Sequence, residues 1–207
     1  MNVLMINGSP KPNGNTAIAL HEMEQIFVQE GIQVETVHVG KKNIRGCIGC
    51  NKCMEAGKCV FDDLVNETAP KFEACDGLVV GTPVYYASAN GTLVSFLDRL
   101  FYAGSSAMRY KPAAIAVIAR RGGCTSAFDA MLKYPTYNQM PVVSGDYWPI
   151  AHAHVDPAQL RCDEEGLFTL STLARNMAWM LRCIEAGKKA GIQPEYVEKN
   201  IWTNFIR

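Results

Sequence analysis

Residues 7–16, NGSPKPNGNT, decide the fold of this chain. They follow the apolar run 3–6, which predicts a buried strand, and precede an amphipathic run, 17–30, which predicts a helix. A strand, a loop of small polar residues and a helix together place backbone N–H groups and the positive end of a helix dipole around an anion. The stretch therefore predicts a phosphate-binding loop at the start of an α/β fold.

Two better-known phosphate loops do not fit this stretch. The Walker loop requires Lys and then Ser or Thr after its second glycine, but Asn15 follows Gly14 here. The dinucleotide fingerprint requires three glycines, and only two are present. Ser9, Asn15 and Thr16 add side-chain donors, so the loop suits one terminal phosphate, such as that of FMN. The alternative is an ordinary strand-to-helix turn.

Composition narrows the function classes. The 207 residues predict one domain, and the 20 basic and 20 acidic side chains cancel, which gives no sign of a nucleic-acid partner. The first apolar run is too short for a signal peptide, and no run of about 18 apolar residues predicts a membrane span. Thus the eight cysteines are expected to be thiols or metal ligands in a reducing cytoplasm.

Apolar runs alternate with amphipathic ones along most of the chain. The predicted strands cover residues 3–6, 32–39, 77–81, 113–119 and 141–143. The predicted helices cover 17–30, 62–74, 92–102, a short segment ending near 134, and 165–189, whereas 157–164 is expected to be a loop. Strands of this kind form parallel sheets with helices on both faces, and ligands bind beyond the carboxyl ends of such strands. The loops after strands one, three and four therefore meet at one edge.

Four cysteines form the pattern C-x2-C-x2-C-x5-C, namely Cys47, Cys50, Cys53 and Cys59. Two close C-x2-C steps suit three corners of a [4Fe-4S] cluster, and the fourth ligand follows after a short excursion. Structural zinc, which usually takes cysteine pairs separated by a longer excursion, is one alternative. Redox-active thiols without a cluster are another, whereas a disulfide is not expected in a reducing compartment.

The other cysteines and the histidines carry weaker signals. Cys75 and Cys183 are expected to be buried as small hydrophobic residues, and Cys124 is a weaker candidate for a functional thiol because it follows the fourth strand. His152 and His154 lack a third ligand nearby in the sequence, so no metal is assigned to them.

Several stretches together resemble the flavodoxin-like FMN reductases and, among them, the iron–sulfur flavoproteins. They are GSPKPNGNT, CIGCNKCMEAGKC, GTPVYYASANGTLVSFLDR, ARRGGCTSAFD, SGDYWPIAHAH and the terminal TNFIR. The resemblance implies a doubly wound, five-stranded parallel sheet in the order 2-1-3-4-5. It also implies an FMN-binding domain over residues 1–190, with a cysteine-rich insertion at 45–60. The aromatic extension 191–207 is expected to pack on the body or on a neighbouring subunit.

The same resemblance assigns roles to individual residues. The FMN phosphate would be held by Ser9, Lys11, Asn13, Asn15 and Thr16. The isoalloxazine and ribityl would be lined by Pro83, Val84, Tyr85 and Tyr86, with Ser88 and Asn90 nearby. The pyrimidine edge would run along Ala119, Arg120, Arg121, Gly122 and Gly123, and Trp148 and His152 would cover the flavin. From the residues alone, Arg120 or Arg121 could stabilise the negative charge on the reduced ring.

The implied activity is that of a flavin oxidoreductase. Electrons would pass from NADH or NADPH, or from a ferredoxin, through FMN to a small acceptor such as a quinone, a nitro compound, a flavin or dioxygen. A [4Fe-4S] cluster would relay single electrons, and the family implies homodimers or homotetramers. Two alternatives stay open: a flavodoxin-type electron carrier without a small substrate, and a biosynthetic FMN-dependent dehydrogenase.

Overall fold

The structure, a computed structural model, describes residues 1–199, 201 and 203. Its strands are β1 Asn2–Asn7, β2 Gln33–His38, β3 Gly77–Tyr85, β4 Ser88–Ala89, β5 Ala113–Ala119 and β6 Ile150–His152. Its α-helices are α1 Asn15–Gln29, α2 Lys52–Ala56, α3 Leu64–Ala74, α4 Gly91–Gly104, α5 Cys124–Tyr137 and α6 Glu164–Lys189. Two 3-10 helices, Ser105–Met108 and Pro157–Cys162, complete the list of helical segments.

Five of the strands form a parallel sheet in the order β2-β1-β3-β5-β6. Counted among the parallel strands alone, this is the order 2-1-3-4-5, and the α/β class expected from the sequence is confirmed. The sixth strand, β4, was not predicted: it turns back and pairs antiparallel with the end of β3. The carboxyl ends of β1, β3, β5 and β6 therefore lie along one edge of the sheet.

Both faces of the sheet are buried, as the apolar character of its strands requires. In β1, Val3 and Met5 belong to the core that packs against α1 and α6. Leu4 and Ile6 belong to the opposite core, which packs against α3, α4 and α5. All four side chains are fully buried, so β1 carries the hydrophobic contacts of both layers.

The predicted position of the fifth strand is wrong. Residues 141–143 make only an isolated parallel bridge between Val142 and Ala113, and the edge strand is Ile150–His152. Pro141 has no N–H, so it can only accept a hydrogen bond, which it does from the Ala113 N–H at 2.9 Å. The chain then leaves the sheet and returns eight residues later to pair with Val117–Ala119 through β6. The segment expected to be a loop at 157–164 contains the 3-10 helix Pro157–Cys162.

Of the two cysteines expected to be buried, one is buried in the structure and the other is exposed. Cys75 is buried as expected, and burial raises the pKa of its thiol to about 11. Cys183, in contrast, is exposed. It lies two residues after the buried Leu181, and two residues rotate a side chain about 200° around a helix, so it faces solvent.

The beginning of the C-terminal extension contacts the body of the protein. The Arg109 guanidinium lies 4.2 Å from the centre of the Tyr196 ring, and the Tyr110 hydroxyl donates a hydrogen bond to the Glu195 carbonyl at 3.3 Å. Trp202 and Phe205, two aromatic residues of this extension that are expected to pack, lie outside the described residues. Across the part of the chain that the structure describes, none of the helices combines the length and the apolar character needed to span a bilayer.

Candidate functional site

The first loop, residues 8–14, leaves β1 at the carboxyl edge and leads directly into α1. Its own polar groups fix its shape: the Asn7 Oδ1 accepts from the Ser9 N–H at 2.9 Å, and the Ser9 Oγ accepts from the Lys11 N–H at 3.1 Å. Gly14 takes the N-cap position of α1 without a side-chain cap, and the first turn of that helix holds no acidic residue. The first N–H groups of α1 are therefore suited to an anion.

The strand β2 supports the first loop at Ser9. The His38 Nε2 lies 2.5 Å from the Ser9 carbonyl oxygen, to which it donates a hydrogen bond. Gly40 also lies against Ser9, and it leaves no room for a side chain. A Cβ at position 40 would lie 2.1 Å from both the carbonyl carbon and the oxygen of Ser9. A side chain at position 40 would displace the loop, so the chain after β2 fixes the height of the first loop above the sheet.

The second loop is the hairpin formed by β3 and β4, and it carries a strained turn. Its two turn residues, Tyr86 and Ala87, have φ values of 50° and 58°, the type I′ pattern that usually selects Asn or Gly. Tyr86 is fully exposed, and Tyr85 is half exposed, with burial raising the pKa of its hydroxyl. A strained turn with an exposed aromatic side chain at the ligand-binding edge is typical of a binding surface.

Asn90 joins the hairpin to the first loop. Its Nδ2 donates to the Gly8 carbonyl at 2.7 Å, and its Oδ1 accepts from the Thr92 N–H at 2.9 Å, which caps α4. The Asn90 N–H donates to the Thr82 Oγ1 at 3.2 Å. Asn90 is buried and holds the two loops together.

The third loop, residues 120–123, follows β5 and packs against the hairpin. Gly123 has φ +92°, and a Cβ there would lie 2.7 Å from the Ala87 Cα and 3.0 Å from the Val84 Cγ1. Glycine is therefore required where the two loops cross. The remaining residues of the loop, Arg120, Arg121 and Gly122, are exposed at the same edge.

His152, at the end of β6, is fixed beside the third loop. Its Nε2 lies 3.1 Å from the Arg121 carbonyl oxygen, and its backbone N–H donates to the Asp163 Oδ2 at 2.5 Å. Asp163 also caps α6 by accepting from the Gly166 N–H at 3.1 Å. The buried Cys124 thiol lies 3.8 Å from the His152 Nε2, and burial, followed by the charge of Asp163, raises the pKa of that thiol.

Asn15 links the first loop to the chain after β6. Its Nδ2 donates to the His154 carbonyl at 2.7 Å, an orientation that is fixed because the reversed amide would bring two oxygens together. Its Oδ1 is the one buried side-chain N or O atom in residues 1–199, 201 and 203 that lacks a hydrogen-bond partner. An unpaired buried acceptor costs about 1–3 kcal/mol, so this oxygen suits a donor, such as a ligand hydroxyl, better than a phosphate oxygen.

Apart from Trp148, which precedes the start of β6, the sequence-predicted cofactor residues belong to the three loops, the start of α1 and the ends of β5 and β6 at this edge, and they differ in exposure. Those that are buried or half-buried are Ser9, Asn15, Thr16, Pro83, Val84, Asn90, Ala119 and Gly123. Those that are exposed are Lys11, Asn13, Tyr85, Tyr86, Ser88, Arg120, Arg121, Gly122, Trp148 and His152. Trp148 packs edge-on against Tyr147, with ring centres 5.0 Å apart, and half of it remains exposed.

The four predicted metal ligands line a second site, a cavity of about 80 Å³. Its sulfur-bearing residues are Cys47, Cys50, Cys53 and Cys59. Left-handed backbone at Gly49, Asn51 and Gly57 curls the chain around the cavity, and the Gly49 N–H donates to the Cys47 Sγ at 3.4 Å. Burial raises the pKa of the Cys53 thiol.

Among the described residues, these thiols do not form a single-ion site. Within the described ranges 1–199, 201 and 203, no group of three or more Cys, His, Asp or Glu side chains could hold one metal ion. A tetrahedral zinc ion with four cysteine ligands requires sulfur atoms about 3.8 Å apart. The four cysteines line the cavity without meeting that arrangement.

The most deeply buried charge in the described residues borders this cavity. Arg99 on α4 has a side chain that is 1% exposed, and its guanidinium forms a two-pronged ion pair with Asp63 at 2.7 and 2.9 Å. Its Nε donates to the Cys59 Sγ at 3.1 Å. Burial alone lowers the pKa of Arg99, but the hydrogen bonds to Asp63 and Cys59 outweigh burial and raise it, which keeps the group charged.

Arg99 also joins the two ends of the segment that carries the four cysteines. Its two terminal nitrogens donate to the carbonyls of Arg45 and Phe61, each at 3.3 Å, which joins the beginning of the cysteine segment to its end. Asn66 fixes the same end, because its side chain bonds both the N–H and the carbonyl of Cys59 at 2.9 Å. The cysteine segment is therefore held in place by the hydrogen bonds of Arg99 and Asn66.

Sequence reasoning missed Arg99, Asp63, His38 and Gly40. For Arg99 a signal was present: it lies three residues after Phe96, on the apolar stripe of α4, where a charge is unusual. Asp63 falls at the start of the predicted helix 62–74, but the sequence gives no sign of its pairing with Arg99. His38 and Gly40 gave no signal, because their contacts with Ser9 depend on the pairing of β2 with β1.

Comparison with known proteins agrees with this arrangement. The family model described as NADPH-dependent FMN reductase matches residues 1–155. An iron–sulfur flavoprotein of Methanocaldococcus jannaschii is 33% identical over 193 residues, which cover 89% of this chain and 100% of that protein. An iron–sulfur flavoprotein of Methanosarcina thermophila is 26% identical over 192 residues, covering 91% of this chain and 99% of that protein.

Two solved structures have a similar fold over most of this chain. RosB, solved with 8-demethyl-8-formylriboflavin-5'-phosphate, has a TM-score of 0.71 at 16% identity, covering 100% of this chain and 94% of its own. An NAD(P)H:quinone oxidoreductase of Methanothermobacter marburgensis has a TM-score of 0.65 at 16% identity, covering 86% of this chain and 96% of its own. At these identities the likeness demonstrates the shared fold alone.

Proposed function

We propose that this chain, which belongs to the family of NADPH-dependent FMN reductases, couples FMN to a [4Fe-4S] cluster. Membership of the family makes it an FMN-dependent NAD(P)H oxidoreductase. Its small acceptor would be a quinone, a nitro compound, a flavin or dioxygen, and a ferredoxin could replace NAD(P)H as donor. FMN supplies hydride chemistry and the cluster supplies single-electron chemistry when both are bound. The residues described above bind and orient these groups.

The first loop fits a terminal phosphate. The uncapped N-terminus of α1 offers N–H groups and a favourable dipole, and Ser9, Asn13 and Thr16 offer polar side chains. Lys11 is exposed at the rim and adds a positive charge. We assign the unpaired Asn15 Oδ1 to a ribityl hydroxyl, because that oxygen needs a donor.

The hairpin and the third loop fit a flat ring. Tyr85 and Tyr86 provide aromatic surface, and the third loop provides backbone N–H groups beside two arginine side chains. Arg120 or Arg121 would stabilise negative charge at the pyrimidine edge of the reduced ring. His152 keeps the third loop in position through the Arg121 carbonyl.

The cysteine cavity fits a cubane cluster. Four cysteines line one cavity, and two donors are directed at their sulfurs, the Arg99 guanidinium and the Gly49 N–H. Arg45 and Arg99 both stack over the Phe61 ring beside this cavity, at 4.8 and 5.0 Å from its centre. Of these two arginines, Arg99 donates a hydrogen bond to a cysteine sulfur, from its Nε to the Cys59 Sγ.

The observation that carries this proposal is the convergence of three loops and the end of β6 on one edge. Direct contacts join them: Asn90 to Gly8, Gly123 to Ala87, and Asn15 to the His154 carbonyl. Such an edge is where ligands bind in doubly wound sheets.

The test is an anaerobic purification followed by an absorption spectrum and assays of flavin, iron and sulfide. We expect one FMN, four irons and four sulfides per chain, together with steady-state NAD(P)H oxidation in the presence of a quinone or nitro acceptor. FMN without iron would contradict the cluster. FMN with negligible NAD(P)H oxidation would favour the electron-carrier alternative, and a colourless protein that does not take up FMN would refute the proposal as a whole.

We also propose that the protein assembles as a homodimer or homotetramer with the flavin edge near an interface. Tyr86 at the hairpin turn and Tyr147 and Trp148 shortly before β6 are exposed aromatic residues, and aromatic residues are enriched in interfaces. Light scattering during size-exclusion chromatography would give the mass, and a monomer at micromolar concentration would contradict this assignment.

A further inference from the structure

The guanidinium of Arg99 has a complete and unusual set of partners. It has five N–H donors, and the structure records five acceptors: the two Asp63 carboxylate oxygens, the Arg45 and Phe61 carbonyls, and the Cys59 sulfur. Four of the five serve to close the loop. The fifth, from Nε, is directed at a sulfur atom that lines the cavity.

We propose that Arg99 is a positioning residue that sets the reduction potential of the cysteine-bound cluster through its hydrogen bond to Cys59, with Asp63 acting as the opposing charge. This inference rests on the proposed function, since it concerns the same cavity. A hydrogen bond to a ligand sulfur withdraws electron density from it and stabilises the more negative, reduced cluster. Arg99 therefore raises the potential.

Asp63 moderates this effect. Its carboxylate neutralises the guanidinium from the side away from Cys59, and its own side chain is 26% exposed, whereas that of Arg99 is 1% exposed. Without the carboxylate, the full positive charge of Arg99 would act on the sulfur in a poorly solvated setting. Arg99 and Asp63 thus influence the potential in opposite directions.

If Arg99 and Asp63 had only a structural role, substitutions at these two residues would give a different result from the one proposed. Arg99 and Asp63 form one ion pair that closes one loop, so if they served only to hold the loop, removal of either would have the same consequence, namely loss of cluster. Opposite shifts of the potential can arise only from their opposite charges. The sign of the two shifts is therefore the diagnostic measurement.

The test uses Arg99→Gln and Asp63→Asn in the full-length protein, with potentials measured by anaerobic redox titration of the cluster. In Arg99→Gln we expect the ratio of reduced to oxidised cluster at the wild-type midpoint to fall at least tenfold, equivalent to about 59 mV for one electron. In Asp63→Asn we expect that ratio to rise at least threefold. Asparagine retains an oxygen for Arg99 and for the N-cap of α3, so this variant keeps the test open if Arg99→Gln does not fold.

Arg182→Gln is the matched control, because Arg182 pairs with Glu30 on the opposite face of the sheet and is half exposed. It should leave the potential unchanged, and FMN content should equal that of the wild type in all three variants. An unchanged potential in Arg99→Gln, or a lower or unchanged potential in Asp63→Asn, would overturn the inference. A wild-type protein with FMN but no iron or sulfide would remove the cluster itself, and this inference with it.

Discussion

Gly40 is not one of the proposed FMN contacts, yet Gly40→Ala should weaken FMN binding by displacing the first loop. The added Cβ would lie 2.1 Å from the Ser9 carbonyl carbon and oxygen and 2.4 Å from the Pro10 nitrogen. Because all three are backbone atoms, no rotamer change relieves the overlap. Ordinary contact between non-bonded heavy atoms begins near 3.5 Å, so the first loop or the chain at position 40 must move by about 1.4 Å.

That movement acts on the residues proposed to hold the phosphate. A shift of this size breaks the His38–Ser9 hydrogen bond and misaligns the first loop with the N-terminus of α1. Loss of a single hydrogen bond to a charged group costs about 2 kcal/mol, which corresponds to an FMN dissociation constant about 30-fold larger. The free energy of unfolding of the apoprotein should fall by about 1 kcal/mol, from the His38 bond alone.

The assay is a titration of apoprotein with FMN, followed by the quenching of flavin fluorescence. Gly187→Ala is the matched control: its Cβ would lie 3.9 Å from its nearest neighbour, and in a helix the change stabilises by about 0.5–1 kcal/mol. Its FMN affinity should equal that of the wild type. Wild-type affinity in Gly40→Ala would refute the view that Gly40 sets the position of the first loop.

Substitutions at three further residues test separate parts of the structure. Thr16→Val, which keeps the shape but removes the hydroxyl, should weaken FMN about tenfold, and Thr16→Ser should restore affinity; equal affinity in all three proteins would remove Thr16 from the site. Cys53→Ser should lose iron and sulfide while keeping FMN, and an iron content equal to that of the wild type would show that Cys53 is not a ligand. Cys75→Ala should change the pH dependence of stability, because burial raises the pKa of the folded Cys75 thiol from its ordinary value of 9.0 to about 11, so the unfolded thiol ionises first. The stabilisation is complete below pH 9 and is lost as the pH rises to 11. Urea titrations should therefore show that the free energy of unfolding falls by about 2–3 kcal/mol more in the wild type than in the variant across this range. Parallel plots of that free energy against pH would contradict the raised pKa of Cys75.

The sheet could be predicted because its signals are local. Each of the runs 3–6, 77–81 and 113–119 is apolar along its whole length, which is the pattern of a strand buried on both faces. The edge strand β6 could not be found in this way. It has three residues, Ile150–His152, and pairs on one side only, so neither length nor periodicity marks it.

The hairpin escaped prediction for a different reason. Positive φ at Tyr86 and Ala87 runs against local preference, and a sequence-based assignment follows that preference. The turn is held by its surroundings instead: β4 pairs with the end of β3, and Gly123 brings the third loop against the Ala87 Cα. Local rules failed at a place that the tertiary structure determines, and strained backbone of this kind concentrates at functional sites.

The helix α4 connects the two proposed sites in a way that no single motif indicates. Asn90 caps its N-terminus and holds the flavin-edge loops together, and Arg99, nine residues further on, closes the cysteine cavity. At a rise of 1.5 Å per residue these two anchors are about 13–14 Å apart along the helix axis. Between them, Leu93, Phe96 and Leu97 are buried in the core beneath the sheet, so the helix has little freedom to shift. Both sites therefore take their position from one rigid element, and a change that loosens α4 in the core should weaken FMN and cluster binding together, whereas changes at Asn90 or Arg99 should act on one site at a time.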